Sequence, residues 1–312
     1  MSSVYKYFSH DVIELVFQRE QYCGIKCSLP KDYNDPYELF LGVDVNVPTE
    51  FLATYKEIVQ EIPQYPTSCF SKSPIISPMW AHYAKNHSGF VLEFDVEELK
   101  EHFKKISIQD VAYRNKPDEK LASLLARASV ARKFRHAYWL QEAVLFEAYF
   151  SKYTNWSYEQ EVRLVDAHNY AENIGDNKVL FIPASCVTAV IVGNKFPPEK
   201  TGLSIEYSDA YDLEWYKLSM GKSYPVPHMR DRSDKPYIFG HEKIIPADGA
   251  CKSCSEPLLE KKELCPWCSI TKAHEIEAAQ GNPFRALAHH GLLDEYLESA
   301  SKIGARGKDQ ED

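Results

Sequence analysis

Two sets of residues in this chain have types and spacings that could do chemistry. Near the C-terminus, CKSCSEPLLEKKELCPWC places Cys251, Cys254, Cys265 and Cys268 as two CxxC pairs separated by ten residues. Each pair offers two thiolates from one tight turn, and two turns together complete the four-sulfur tetrahedral shell that Zn²⁺ prefers. Four protein ligands leave no position open for water or substrate, so a zinc ion there holds structure and performs no reaction. The second set is the acidic pair in NWSYEQEVRLV, residues 155–165. On a β-strand, Glu159 and Glu161 share one face with Arg163, while Val162 and Leu164 face the other way. This pattern fits a solvated strand face, with Arg163 paired across the sheet, and it equally fits one wall of an active site.

The elements that must position these residues read as an α+β protein with a mixed sheet and long helical excursions, followed by a small zinc ribbon and helices. VYKYF at 4–8 is a first strand, and Asp11 caps a following helical stretch. YCGIKCS is a second strand, and the loop LPKDYNDPYE after it holds Asn34, Asp35, Pro36 and Glu38, where turn chemistry and site residues coincide. A helix over 50–62, a strand TSCFS at 67–71 and a helix over 79–86 follow. After them comes the near-continuous apolar strand GFVLEF. Residues 118–150 read as two helices or one that bends. Strands at 159–165, 187–192, 203–207 and 215–219 close a domain spanning 1–220. Residues 221–250, rich in Pro, Gly and charge, read as a linker. The ribbon spans 251–270, two helices separated by Gly281 and Asn282 fill 271–304, and 305–312 is a disordered tail. The apolar stripe Phe284, Leu287, Leu292, Leu293 and Leu297 is expected to pack.

Composition narrows the function classes. A net charge of −9 over 312 residues argues against a protein that coats nucleic acid through its overall charge. A local basic patch on the long helical region, Arg127, Arg132, Lys133, Arg135 and His136, reads as a solvated face or as an anion site for a pyrophosphate or an RNA backbone. No basic-then-apolar leader opens the sequence and no run of about 18 apolar residues occurs, so a cytoplasmic protein without a membrane partner is expected. Eight cysteines are then thiols or metal ligands. Cys23, Cys27, Cys69 and Cys186 read as small buried hydrophobes. His82 reads as a hydrogen-bonded structural histidine, and His87 as part of a turn. Charges between Cys251 and Cys268 cancel, which favours a protein partner for the ribbon and its helices over nucleic acid. No acidic cluster supports a two-metal nuclease.

The ordered series YKYFS, YNDPYE, CFS, MWAHYAKNHSGFVLEFD and then Lys152, Trp156, Glu159, Glu161 and Arg163 resembles a large bacterial family built on a domain of unknown function, over about residues 4–218. The same order resembles, more faintly, the arginine-type ADP-ribosyltransferases. There a first strand carries a basic residue, a second a Ser-x-Ser segment and a later one Glu-x-Glu. Ser71 in SCFS matches the second element and Glu159-Gln-Glu161 the third. Lys6, or His10, stands where Arg or His is expected in the first. The resemblance implies a toxin- or effector-like enzyme that consumes NAD⁺. Glu161 would stabilise an oxocarbenium-like transition state, Glu159 would orient the acceptor or take its proton, and Ser71 and Lys6 would complete the catalytic set. Tyr83, Tyr7, Asp35 and Arg163 would contact the dinucleotide. The rival reading is a non-enzymatic module that binds nucleotide, RNA or protein.

Overall fold

The computed structural model describes residues 3–33, 35, 43–258 and 262–308, with the side chains of 302–308 excepted. The chain divides into two compact units, Met1–Ala247 and Asp248–Asp312.

Unit 1 is a mixed α+β domain. Its strands are β1 (Ser3–Phe8), β2 (Tyr22–Cys27), β3 (Thr67–Ser71), β4 (Phe90–Asp95), β5 (Ser107–Asp110), β6 (Ala112–Arg114), β7 (Ser151–Tyr153), β8 (Glu161–Val165), β9 (Glu172–Ile174), β10 (Asn177–Pro183), β11 (Val187–Val192), β12 (Glu214–Ser219), β13 (His228–Arg230), β14 (Pro236–Gly240) and β15 (Lys243–Pro246). Its helices are α1 (Ile13–Val16), α2 (Thr49–Gln60), α3 (Ser77–His82), α4 (Val96–His102), α5 (Glu119–Ala131), α6 (Phe134–Phe150) and α7 (Pro198–Ala210). The main sheet runs in the order β15-β14-β13-β12-β11-β4-β1-β3-β8-β5. All its pairings are antiparallel except β11 with β12, which α7 connects. Smaller sheets join β2, β10 and β9, and β6 with β7.

Both faces of the sheet are covered, which is why β4 and β11 read as near-continuous apolar runs. One face carries Val4, Phe8, Leu92, Phe94, Val162 and Leu164. The other carries Tyr5, Tyr7, Val91, Ile191 and Leu218 against Trp80 of α3. A third cluster holds α5 and α6 together through Leu121, Leu125, Leu140 and Val144.

Several expectations need correction. The stretch 203–207 is not a strand but part of α7, whose first turn contains Pro198. Leu203, Ile205 and Tyr207 alternate over too short a window to separate the two periods, and helical spacing lets Tyr207 stack on Phe17 at 4.6 Å. The expected linker at 221–250 contains β13, β14 and β15, which extend the main sheet, with Met229 fully buried. The β14–β15 hairpin turns on His241 and Glu242, both left-handed (φ 52° and 62°). That position normally announces itself as Asn-Gly, so its usual sequence signal is missing. The helix expected over 79–86 ends at His82. Lys85, Asn86 and His87 then adopt three consecutive left-handed conformations. Gly89 follows because the chain passes too close to Phe8 for any side chain, a Cβ there meeting the Phe8 carbonyl oxygen at 2.0 Å.

Unit 2 holds the four cysteines in tight turns, followed by α8 (Lys272–Gln280), α9 (Pro283–His289) and α10 (Leu293–Lys308). Three helices thus replace the expected two. Gly291 (φ 68°) ends α9, with Leu292 N–H donating to Leu287 O at 2.9 Å. α10 extends through Lys308, so the tail expected to be disordered from 305 is helical to that point, and 309–312 lie outside the described residues. The stripe expected to pack is largely exposed, Phe284 at 56%, Leu292 at 49% and Leu297 at 46%.

Candidate functional site

The site forms where the main sheet splits. β1 pairs with β4 along six positions and β3 pairs with β8 along five, but β1 and β3 meet at one position, Tyr5 opposite Ser71. Ser71 is at the same time opposite Glu161. Beyond that contact the strands diverge and leave a cavity of about 230 Å³. Its walls include Lys6 and Tyr7 from β1, Cys69 and Ser71 from β3, Tyr83, Lys152, Glu159, and Glu161 and Arg163 from β8. Half-buried Lys6 reaches across the split, its Nζ donating to Cys69 O at 3.0 Å and lying 5.6 Å from the centre of the Phe70 ring. Burial pushes its ammonium pKa down.

The two glutamates are neither on one strand nor on a solvated face. Thr154–Glu159 is a 3₁₀ turn, Gln160 is left-handed (φ 47°), and the strand begins at Glu161. Glu159 and Glu161 are each 3% exposed and Arg163 is 1% exposed. Lys152 binds both carboxylates, Nζ donating to Glu159 Oε2 at 2.6 Å and Glu161 Oε2 at 3.1 Å. Arg163 folds back on its own strand, Nε donating to Glu161 Oε1 at 2.8 Å, while Nη1 donates to Tyr149 O at 2.9 Å. Tyr83 Oη donates to Glu159 Oε1 at 2.6 Å. The backbone N–H of Glu161 donates to Tyr113 Oη at 2.7 Å.

This lattice sets the charge state. Burial alone would raise the Glu161 carboxyl, but Arg163 and Lys152 outweigh it and hold the group down at about 2. Lys152 is the complement: burial favours its neutral form, and Glu161 and Glu159 more than reverse that. Glu161 is therefore an anion across ordinary pH, suited to stabilising positive charge and not to delivering protons. Cys69 lines the cavity and is only partly buried, unlike Cys23, Cys27 and Cys186. Desolvation, with Glu161 adding to it, pushes its thiol up to about 12, which removes it as a nucleophile.

The expected residues converge with exceptions. Lys6, Tyr7, Ser71, Tyr83, Glu159, Glu161 and Arg163 all line the cavity. Tyr7 points its hydroxyl to Ser73 O at 2.8 Å, and its ring packs edge-on to Trp80. Asp35 is buried, and the described lining includes its neighbours Asp32 and Tyr33 in its place; Asn34, Pro36 and Glu38 lie outside the described residues. His10 lies beyond the strand, its Nδ1 3.0 Å from Ser88 Oγ. His82 is exposed beside the Tyr158 ring and is not a buried structural histidine, whereas His87 lies in the turn and stacks on Trp80. Sequence reasoning assigned no role to Lys152, Tyr113 or Tyr33. Lys152 stood in the motif series that carries the family resemblance, and it is a lone cation in the otherwise uncharged run AYFSKYTNW.

Residues 79–164 match the family described as Protein of unknown function (DUF2971). The matched segment contains Tyr83, Lys152, Glu159, Glu161 and Arg163, and it stops short of Lys6 and Ser71 on the other side of the cavity. No curated protein and no solved structure matches the chain. Among the described residues, no helix is long and apolar enough to cross a membrane.

In unit 2 the sulfurs of Cys251, Cys254, Cys265 and Cys268 lie within 4.8 Å of one another, an arrangement that can hold a metal ion and is compatible with a zinc ribbon. Cys254 Sγ and Cys265 Sγ are 3.8 Å apart. That separation suits two thiolates on one tetrahedral ion with metal–sulfur bonds of about 2.3 Å. Backbone amides already point at the sulfurs, Cys265 N–H at Cys251 Sγ (3.3 Å) and Cys268 N–H at Cys265 Sγ (3.4 Å). Such second contacts favour the thiolate form that a metal needs.

Proposed function

We propose that unit 1 is an ADP-ribosyltransferase-like domain that consumes NAD⁺, and that the four cysteines of unit 2 hold a structural zinc ion. The observation that carries the first part is the convergence of Lys6, Ser71 and Glu161, from three adjacent strands, on one cavity. They stand, in order, at the positions of the three elements in the resemblance to ADP-ribosyltransferases, with Lys6 where Arg or His is expected. The lining balances four cations (Lys6, Lys26, Lys152, Arg163) against three carboxylates (Asp32, Glu159, Glu161), which suits a ligand with a cationic ring and an anionic pyrophosphate. A cavity of about 230 Å³ is small for a ligand pocket and takes one end of such a molecule.

In this reading the bond between ribose C1′ and the nicotinamide nitrogen breaks, and its electron pair leaves with nicotinamide. The ionised Glu161 carboxylate stabilises the oxocarbenium-like charge left on the ribose. An acceptor oxygen or nitrogen, or water, bonds to C1′ and gives up its proton toward Glu159. Ser71 and Tyr83 line the same cavity. Incubation of purified protein with NAD⁺ is expected to release nicotinamide, and Glu161→Gln to lower the rate by at least about a hundredfold. Unchanged release in that variant, or none from the parent protein, contradicts the reading.

One observation favours a second reading, a binding module without turnover. Both oxygens of Glu161 are engaged by Arg163 and Lys152, which leaves the carboxylate less to offer a developing cation. Saturable NAD⁺ binding with no nicotinamide release would select it. For unit 2, the closed four-thiolate shell supports zinc as a staple. Trp267 and Ile270, 57% and 47% exposed beside the second CxxC turn, support a protein as its partner.

A further inference from the structure

The corner between α5 and α6 stands apart from the rest of the chain in charge and surface chemistry. From Lys120 to Gln141 there are five Lys or Arg residues and no Asp or Glu, whereas the whole chain carries −9. The remainder of the chain is therefore at −14, since −9 minus +5 is −14. Arg127, Arg132, Lys133 and Arg135 are all exposed there. Large rings emerge among them, Phe134 at 86% exposure, Trp139 at 59% and Tyr138 at 45%. Phe134 and Tyr138 lie one helical turn apart with rings nearly parallel, 22° between planes at 6.4 Å, and Trp139 meets Tyr138 edge-on at 5.6 Å. Solvent-exposed aromatic rings cost free energy, and among the described residues the packing of α6 does not require these, because its apolar face is already filled by Leu140, Val144 and Ala148.

We infer that the α5–α6 corner is a binding surface for single-stranded RNA. Guanidinium groups neutralise phosphates and stack on bases, and exposed aromatic rings offer platforms for unpaired bases. RNA is the nucleic acid that presents unpaired bases in loops and ends. A membrane surface fits less well, because the aliphatic face that an interfacial helix would bury in lipid is occupied by the protein core. The corner is also separate from the cavity. Tyr149, at the far end of α6, accepts the Arg163 hydrogen bond, and 17 residues of helix place the corner about 25 Å away along the axis. The inference is therefore independent of what the cavity binds.

The test is fluorescence anisotropy of the full-length protein with a labelled single-stranded RNA of about 12 nucleotides, within the usual site size of such surfaces. The salt range is about 50–200 mM. Binding is expected to weaken steeply with salt, and the duplex of the same sequence to bind at least tenfold more weakly. Lys133→Glu with Arg135→Glu is expected to lower affinity more than tenfold and to flatten the log–log salt slope by about 1.4. Phe134→Ala with Trp139→Ala is expected to cost about tenfold or more with the slope unchanged. All four side chains are exposed, so the thermal transition of the variants stays at that of the parent. Absence of binding, equal binding of the duplex, or indifference to both pairs of substitutions overturns the inference. Tighter binding to DNA of the same sequence or to anionic vesicles does so as well.

Discussion

The cysteine cluster of unit 2 and the ion lattice of unit 1 both crowd ionisable side chains into close contact, and they solve the resulting problem differently. Four thiolates within 4.8 Å of one another repel, and an added cation is needed to hold them. The two glutamates in unit 1 carry their own counterions, Lys152 and Arg163, so their charge is compensated by the chain itself. The first cluster depends on something from solution and the second on the fold. A metal held by the first would be separable by a chelator, while the second fails when one of its own side chains is replaced or its carboxylates are protonated.

The largest effect tests that contrast directly. Removing metal with a chelator, or replacing Cys265 by Ser, is expected to unfold the turns of unit 2, because structural zinc contributes roughly 10–16 kcal/mol to such small sites. Proteolysis should then cleave within 248–312 and leave 1–247 intact, and metal analysis of the parent protein should find one zinc per chain. Loss of both units together would break the comparison.

Next in size is Arg163→Met. It leaves Glu161 buried with one counterion in place of two, and loss of a partner from a buried pair costs about 3–5 kcal/mol. Chemical denaturation of unit 1 should show it, with metal content unchanged.

How much of this was legible in the sequence follows the same division. The cysteine site was readable because all its ligands fall within 18 residues, so spacing alone determines the geometry. The three strands of the cavity were readable one at a time, VYKYF as an aromatic and β-branched run and EVRLV from its alternation. The lattice between them was not, because Lys152 meets Glu159 only through a 3₁₀ turn, and meets Glu161 only after the chain also passes a left-handed Gln160. Period-two reasoning placed Glu159 and Glu161 together for the wrong reason, a shared strand face, when the shared partner is Lys152. The 228–246 strands escaped because each is three to five residues long and their hairpin lacks the usual Asn-Gly turn. The cavity itself depends on a single-position contact between β1 and β3, a tertiary feature that no local pattern encodes.

Acid sensitivity sharpens the account of the lattice. The Glu161 carboxyl is held at about 2, below its ordinary 4.5. Its ionised form therefore stabilises the fold fully above about 4.5, and that stability is lost as pH falls toward 2. Denaturation curves from pH 7 to 2 should show a smaller acid-induced loss in Glu161→Gln than in the parent. Equal losses would mean that the ion pairs do not hold the group down. The smallest effect is expected from Tyr83→Phe, which removes one hydrogen bond to the Glu159 carboxylate and should cost about 1–3 kcal/mol in the same assay.

The account rests on the split between β1 and β3 being a dinucleotide site built around Glu161. A crystal structure of the protein soaked with NAD⁺, or with a non-hydrolysable analogue, tests that claim most directly. The account predicts density in the cavity with the nicotinamide ribose within hydrogen-bonding reach of Glu161 and Ser71. An empty cavity under saturating ligand, or a dinucleotide bound elsewhere on the molecule, would contradict it.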